Sequence, residues 1–77
     1  MKDTLSFIIK SIVENEDKVA VSEEEDQGIV NLTIKVDPQE MGKIIGKEGK
    51  VIKAIRNVMR IPAMKQNKKI YITLAEA

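Results

Sequence analysis

The chain has 77 residues, enough for one small domain and too few for two, and its 43% apolar content supports a modest core rather than a disordered coil. It has no cysteine, so neither a disulfide framework nor a thiolate metal site holds it, and its apolar runs of three residues are far short of the roughly 20 needed to cross a bilayer. The net charge of +1 conceals a division: residues 1–41 carry four Lys and ten Asp or Glu, a balance of −6, whereas residues 42–77 carry nine Lys or Arg and two Glu, a balance of +7. Such a split suggests one surface that faces a polyanion, but charge runs are more often plain solvated faces, so it needs a motif inside the basic half. Met1-Lys2-Asp3-Thr4 lacks the apolar stretch and cleavage site of a secretory leader, and a cytoplasmic protein is the simplest expectation.

Leu5, Ile8, Ile9 and Ile12, extended by Val13, recur at helical spacing and predict an amphipathic helix over 4–14, with Asp3 as its N-cap. A short strand is expected over Lys18–Ser22. The run Glu23-Glu24-Glu25-Asp26-Gln27-Gly28 suits a hairpin connection; four acids in a row invite a cation site, but no EF-hand spacing is present and a solvated turn is the better reading. From Ile29 to Val36 the alternation is clean, with Val30, Leu32, Ile34 and Val36 on one face of a half-buried strand. Asp37-Pro38-Gln39-Glu40 then starts a helix: Asp37 can cap, Pro38 suits the first helical position, and Glu40 stands where a capping box places its acid. That helix should run to Ile45. A further helix is expected from Lys50 to about Arg60, ended by Pro62, with Met64–Asn67 as a loop and Ile70, Ile72 and Leu74 on one face of a closing strand.

The segment Met41-Gly42-Lys43-Ile44-Ile45-Gly46-Lys47-Glu48-Gly49-Lys50-Val51-Ile52 carries the chemistry. Gly46 and Gly49 bracket two charged residues between two helices. Glycine costs roughly 1 kcal/mol relative to alanine inside a helix, so its placement asks for a reason. A tight turn needs positive φ, and a phosphate can press against backbone only where no Cβ intervenes. The helix that follows offers free N–H groups and its positive dipole end, while Lys47 and Lys50 add cations and Lys43 lies one turn upstream. A bare Gly-x-x-Gly is weak evidence; its setting strengthens it.

With Ile44-Ile45 before the loop and Ile52 after it, residues 45–52 match Ile-Gly-x-x-Gly-x-x-Ile at every fixed position. This pattern resembles the hallmark of the KH domain, whose loop clamps about four nucleotides of backbone. The resemblance covers residues 1–77 and implies an α+β fold of the bacterial, type II kind: order α-β-β-α-α-β, a three-stranded mixed sheet and three helices on one face. Among such proteins the chain is similar to the small single-KH RNA chaperone family KhpA. That similarity implies binding of single-stranded RNA, pairing with itself or with a KhpB-like KH protein, and a link to cell elongation and peptidoglycan homeostasis. Carried onto this chain, the RNA-binding residues are Gly42, Lys43, Ile45, Gly46, Lys47, Glu48, Gly49, Lys50 and Lys53, facing walls from the strand around Leu32 and Ile34. One Phe and one Tyr leave little room for aromatic stacking of the RRM or OB type, and the acid at Glu48 favours modest affinity.

Around the last helix, Lys53, Arg56 and Arg60 share one face; Lys53 lies beside the loop, while Arg56 and Arg60 fit a phosphate track and a solvated face equally. Lys68 and Lys69 either extend the basic surface or solvate a loop. Ile52, Ile55 and Met59 form one apolar stripe and Ala54, Val58 and Ile61 an adjoining one. The two span about 180°, wider than the ~100° a core contact needs. Either both fit one small core, or Ala54, Val58 and Ile61 form a dimer seam. With no histidine, no cysteine and no recognisable carboxylate pair, no catalytic residue, cofactor or metal is expected. Nor is a membrane or a small-molecule substrate, so a binding protein is favoured over an enzyme, with a protein-interaction adaptor as the competing class.

Overall fold

The computed structural model describes residues 1–76. Helix α1 (Lys2–Ile12) forms because Leu5 and Ile9, one turn apart, both bury completely. Its end differs from the expected residue 14 for a long-range reason. The carboxylate of Glu40 takes the amides of Glu14 (2.6 Å) and Asn15 (3.3 Å), drawing the chain out of helix at Val13. Its start differs too: Asp3 lies in the first turn and caps nothing, and the Lys2 N–H donates instead to Glu23 across the sheet (3.0 Å). A 3-10 turn over Glu16–Lys18 leads to strand β1 (Ala20–Asp26).

The acidic run is therefore strand, not connection. Glu23 to Asp26 pair with Leu32 to Ile29 of strand β2 (Ile29–Val36), and the turn is only Gln27-Gly28, both at positive φ. Such primed two-residue turns match the twist of paired strands. Acids are poor strand formers, but β1 is an edge strand, where charges are tolerated and discourage pairing with another sheet.

β2 is the central strand, and Val30, Leu32, Ile34 and Val36 are completely buried as the alternation predicts. Each stabilises the fold by about 1.5–3 kcal/mol. Leu32 and Ile34 are thus core residues sealed beneath the helices, and their expected place in a groove wall is ruled out.

Asp37 caps helix α2 (Pro38–Ile45), its Oδ1 accepting from the Gln39 N–H at 3.0 Å, with Pro38 in the first turn. That amide, and then the Lys18 ammonium, hold the Asp37 carboxyl below its ordinary value. The capping stability is therefore complete above a pH of about 3.8 and is lost as pH falls below it through the lowered native value. Glu40 does not complete a capping box, being committed to Glu14 and Asn15.

Helix α3 (Lys50–Lys65) runs past Pro62 instead of ending near Arg60. The proline sacrifices one hydrogen bond, but Met59 and Ala63 continue the buried stripe of Ile52 and Ile55 through it, and packing outweighs the break. Met64 and Lys65 are helical, and the helix closes at Asn67 (φ 58), with the Lys68 N–H on the Ala63 carbonyl. Strand β3 (Lys69–Glu76) then pairs parallel to β2 on the side away from β1. The result is the expected α+β order, a mixed sheet with three helices on one face.

Candidate nucleic-acid interface

The backbone around the glycine loop divides the labour between its glycines. Gly46 ends α2 at φ 74, ψ 175, a region essentially closed to other residues. A Cβ there would overlap the side chain of Val51 and come within 2.9 Å of its nitrogen, so Gly46 lets the loop fold tightly onto the first turn of α3. Gly49 (φ 74, ψ 16) is left-handed, but its Cβ would meet nothing nearer than Ile52 at 4.0 Å. Glu48 between them is also left-handed (φ 58, ψ 24), which costs an L-residue about 1–2 kcal/mol.

Lys47, Glu48 and Lys50 are exposed. The Gly46 N–H is taken by the Gly42 carbonyl and that of Gly49 by Gly46, whereas the amides of Lys47 and Glu48 donate to no carbonyl outside their own turn. No side chain caps α3. Two amides and the positive end of a 16-residue helix therefore open to solvent at one place.

The adjoining face of α2 is smooth. Gly42, Ile45 and Gly46 stand at spacings of three and four, hence on one side of the helix. Gly42 is exposed, a Cβ added to it would meet nothing within 4 Å, and Ile45 is 37% exposed. Nothing in the fold requires glycine at 42. Its conformational cost therefore has no rationale in the packing of the fold.

Among the described residues Lys47, Lys50 and Lys53 make no ion pair. Lys43 is different: its ammonium sits 3.0 Å from Glu14 and 3.8 Å from Glu40, so a phosphate would compete with two carboxylates for it. Glu14 lies 29 residues upstream, and no local pattern announces that pairing.

On α3 the second apolar stripe is outside the core. Val58 and Ile61 are 49% and 56% exposed and Ala54 is exposed, so the two stripes do not share one core. At ~100° per residue, Arg56 and Arg60 flank the buried stripe on one side and Ala54, Val58 and Ile61 on the other. A groove and an apolar surface thus occupy opposite flanks of one helix.

The groove side borders an element that sequence reasoning passed over, the free edge of β3. The Lys69 N–H bonds the Gly28 carbonyl (2.9 Å), so in this parallel ladder the odd-numbered residues face β2. Ile70, Ile72 and Leu74 direct their N–H and C=O groups outward. A depression of about 210 Å³ between α3 and this edge is lined by Arg56, Arg60, Ile70, Tyr71 and Ile72. The available sequence signal was the lack of charge from Ile70 to Ala75, against four consecutive acids in β1.

Among the described residues no cluster of three or more metal-ligating side chains occurs, and no helix is long and apolar enough to cross a membrane.

A parallel-centred sheet with a helix–Gly-x-x-Gly–helix crossover defines a KH domain of the type II arrangement. A family model described as KhpA/KhpB, KH domain, matches residues 2–74, and the chain belongs to that family. The RNA-binding protein KhpA of Clostridium acetobutylicum is 43% identical over 74 residues, covering 96% of this chain and 99% of that one. That of Aquifex aeolicus is 36% identical over 76 residues, covering 99% and 96%. Among solved structures, Aquifex aeolicus Era bound to GDP and AlF4 superposes with a TM-score of 0.66 at 17% identity. The likeness spans 97% of this chain and 29% of Era, and it is one of fold.

Proposed function

We propose that the chain is a single-stranded RNA-binding protein whose Gly46-Lys47-Glu48-Gly49 loop clamps the sugar–phosphate backbone. The observation that carries this reading is the coincidence of free Lys47 and Glu48 amides, the uncapped start of α3 and unpaired Lys47, Lys50 and Lys53 beside a helix face made smooth by Gly42. Phosphates contact the amides and lysines, and a base lies against Gly42 and Ile45. The name shared by the relatives, RNA-binding protein KhpA, supports the same reading. A role as RNA chaperone or regulator, with a link to cell elongation and peptidoglycan homeostasis, follows from that kinship rather than from any residue.

Filter binding with a short single-stranded RNA at two salt concentrations tests the clamp. Three phosphate-contacting lysines give a slope of log K against log salt near −2, so affinity should fall roughly 20-fold between 50 and 200 mM salt. Absence of binding at the lower salt would remove the reading. Gly42→Ala separates stability from function. It should stabilise the fold by about 0.5–1 kcal/mol, because alanine is the better helix residue and its methyl meets open space. The same methyl should weaken RNA binding several-fold. A variant that melts higher yet binds as well as wild type would clear Gly42 of any contact.

The exposed Ala54, Val58 and Ile61 stripe favours a second reading, in which the KH scaffold pairs with another copy or with a KhpB-like KH protein. Because this stripe and the cationic flank lie on opposite sides of α3, pairing and RNA binding are compatible. Sedimentation analysis should find wild type as a dimer and Val58→Glu as a monomer. Two monomers would dismiss the self-pairing seam.

A further inference from the structure

Lys43 borders the smooth face of α2. At ~100° per residue it stands about 60° around the helix from Gly46, on the side away from Ile45. A lysine arm there can reach a sugar–phosphate chain that lies over Gly42 and Gly46. In the free protein the arm is already engaged: its Nζ sits 3.0 Å from a Glu14 carboxylate oxygen and 3.8 Å from one of Glu40. Those two acids and Asp37 line a depression of about 200 Å³ in which Lys43 is the only basic residue.

The fold itself delivers Glu14 to this place. Glu40, the one charged side chain buried among the described residues, accepts the Glu14 N–H (2.6 Å) on one oxygen and the Asn15 N–H (3.3 Å) on the other. With α1 ended at Ile12 and Val13 extended (ψ 157), these backbone contacts fix residue 14 without any help from Lys43. The Glu14 side chain, by contrast, supports nothing. It is 86% exposed, and among the described residues Lys43 is its only partner.

We infer that Glu14 is a built-in competitor of the RNA, an acid that withholds Lys43 from the clamp and so caps its affinity. The inference rests on the proposed RNA-binding function and names what limits its strength. A phosphate recruits Lys43 only by breaking an ion pair already formed; otherwise the clamp works with Lys47, Lys50 and Lys53, which have no such partner. The restraint is soft. An ion pair this exposed changes an equilibrium by no more than about fivefold and is screened by salt, so it grades affinity rather than abolishing it.

Filter binding of a short single-stranded RNA to wild type, Glu14→Gln, Lys43→Gln and the double variant, at roughly 50 and 200 mM salt, tests this. Glu14→Gln should melt as wild type does and bind about fivefold more tightly at the lower salt. A fourth available lysine should steepen the slope of log K against log salt from near −2 to near −3, which shrinks the gain to about twofold at the higher salt. In the Lys43→Gln background most of the gain from Glu14→Gln should vanish. Equal tightening with and without Lys43 would reduce Glu14 to a distant negative charge and overturn the restraint. So would a Glu14→Gln affinity equal to that of a wild type that binds. Either result strikes only this inference, whereas failure of both wild type and Glu14→Gln to bind at the lower salt removes the proposed function with it.

Discussion

Gly46→Ala is expected to lower the unfolding free energy by about 4 kcal/mol, the largest loss from any single change in the loop. Two costs combine. A φ of 74 with ψ of 175 penalises a Cβ by roughly 1–3 kcal/mol. The new methyl would also overlap Val51, and relieving that overlap means prising the loop from α3 at roughly another 1–3 kcal/mol. In a domain of this size each kcal/mol moves the melting temperature by roughly 4–8 °C, so circular dichroism should register a fall of about 15–30 °C. Gly49→Ala provides the contrast. Its Cβ would stand in open space and only the left-handed backbone is strained, so a loss of about 1 kcal/mol is expected. Near-equal melting of Gly46→Ala and wild type would refute the packing role given to Gly46.

The second large effect is on binding. Lys47→Asp combined with Glu48→Asp should weaken RNA binding roughly 100-fold with an unchanged circular dichroism spectrum. Removing Lys47 deletes a charge-assisted contact worth about 1.5–3 kcal/mol, and the aspartate that replaces it repels the same phosphate. Both side chains are exposed, and aspartate tolerates the left-handed conformation of residue 48 better than glutamate does, so the fold has no reason to suffer. Glu48→Gly should act in the opposite sense, removing an acid from the clamp and the backbone strain together, with tighter binding and a higher melting temperature. Affinity retained by the double aspartate variant would transfer the clamp to some other surface.

Much of this architecture was legible because local rules and tertiary structure agree. The alternation of β2, the Asp37-Pro38 start of α2 and the glycine-bracketed loop each depend on neighbours in sequence, and each forms where those neighbours place it. The misreadings share a different cause, interactions between distant segments. Glu40 serves Glu14 and Asn15 instead of its own helix, and it shortens α1 in doing so. Glu23 and Glu25 belong to a strand because they pair with Leu32 and Val30 of β2, and their carboxylates reach the start of α1 and Lys68, neither near in sequence. Pro62 fails to stop α3 because Met59 and Ala63 are anchored in a core assembled from α1, β2, α2, α3 and β3. The apolar width of α3 was visible from periodicity, but deciding that Val58 and Ile61 stay outside required knowing what α3 packs against. Above all, strand order cannot be read from a strand's own residues. Leu32 and Ile34 looked eligible as groove walls only while the central place of β2 and the free edge of β3 were unknown.

The position of the acidic strand has a kinetic consequence. β1 and β3 are opposite edges of a three-stranded sheet, about 10 Å apart, one carrying Glu23 to Asp26 and the other bordering the arginines of α3. A molecule with almost no net charge thereby holds a lasting electric polarity across its width. An approaching polyanion is turned away from one flank and drawn to the other before any contact forms. Encounters should therefore be faster, and more strongly slowed by salt, than a net charge of +1 would suggest.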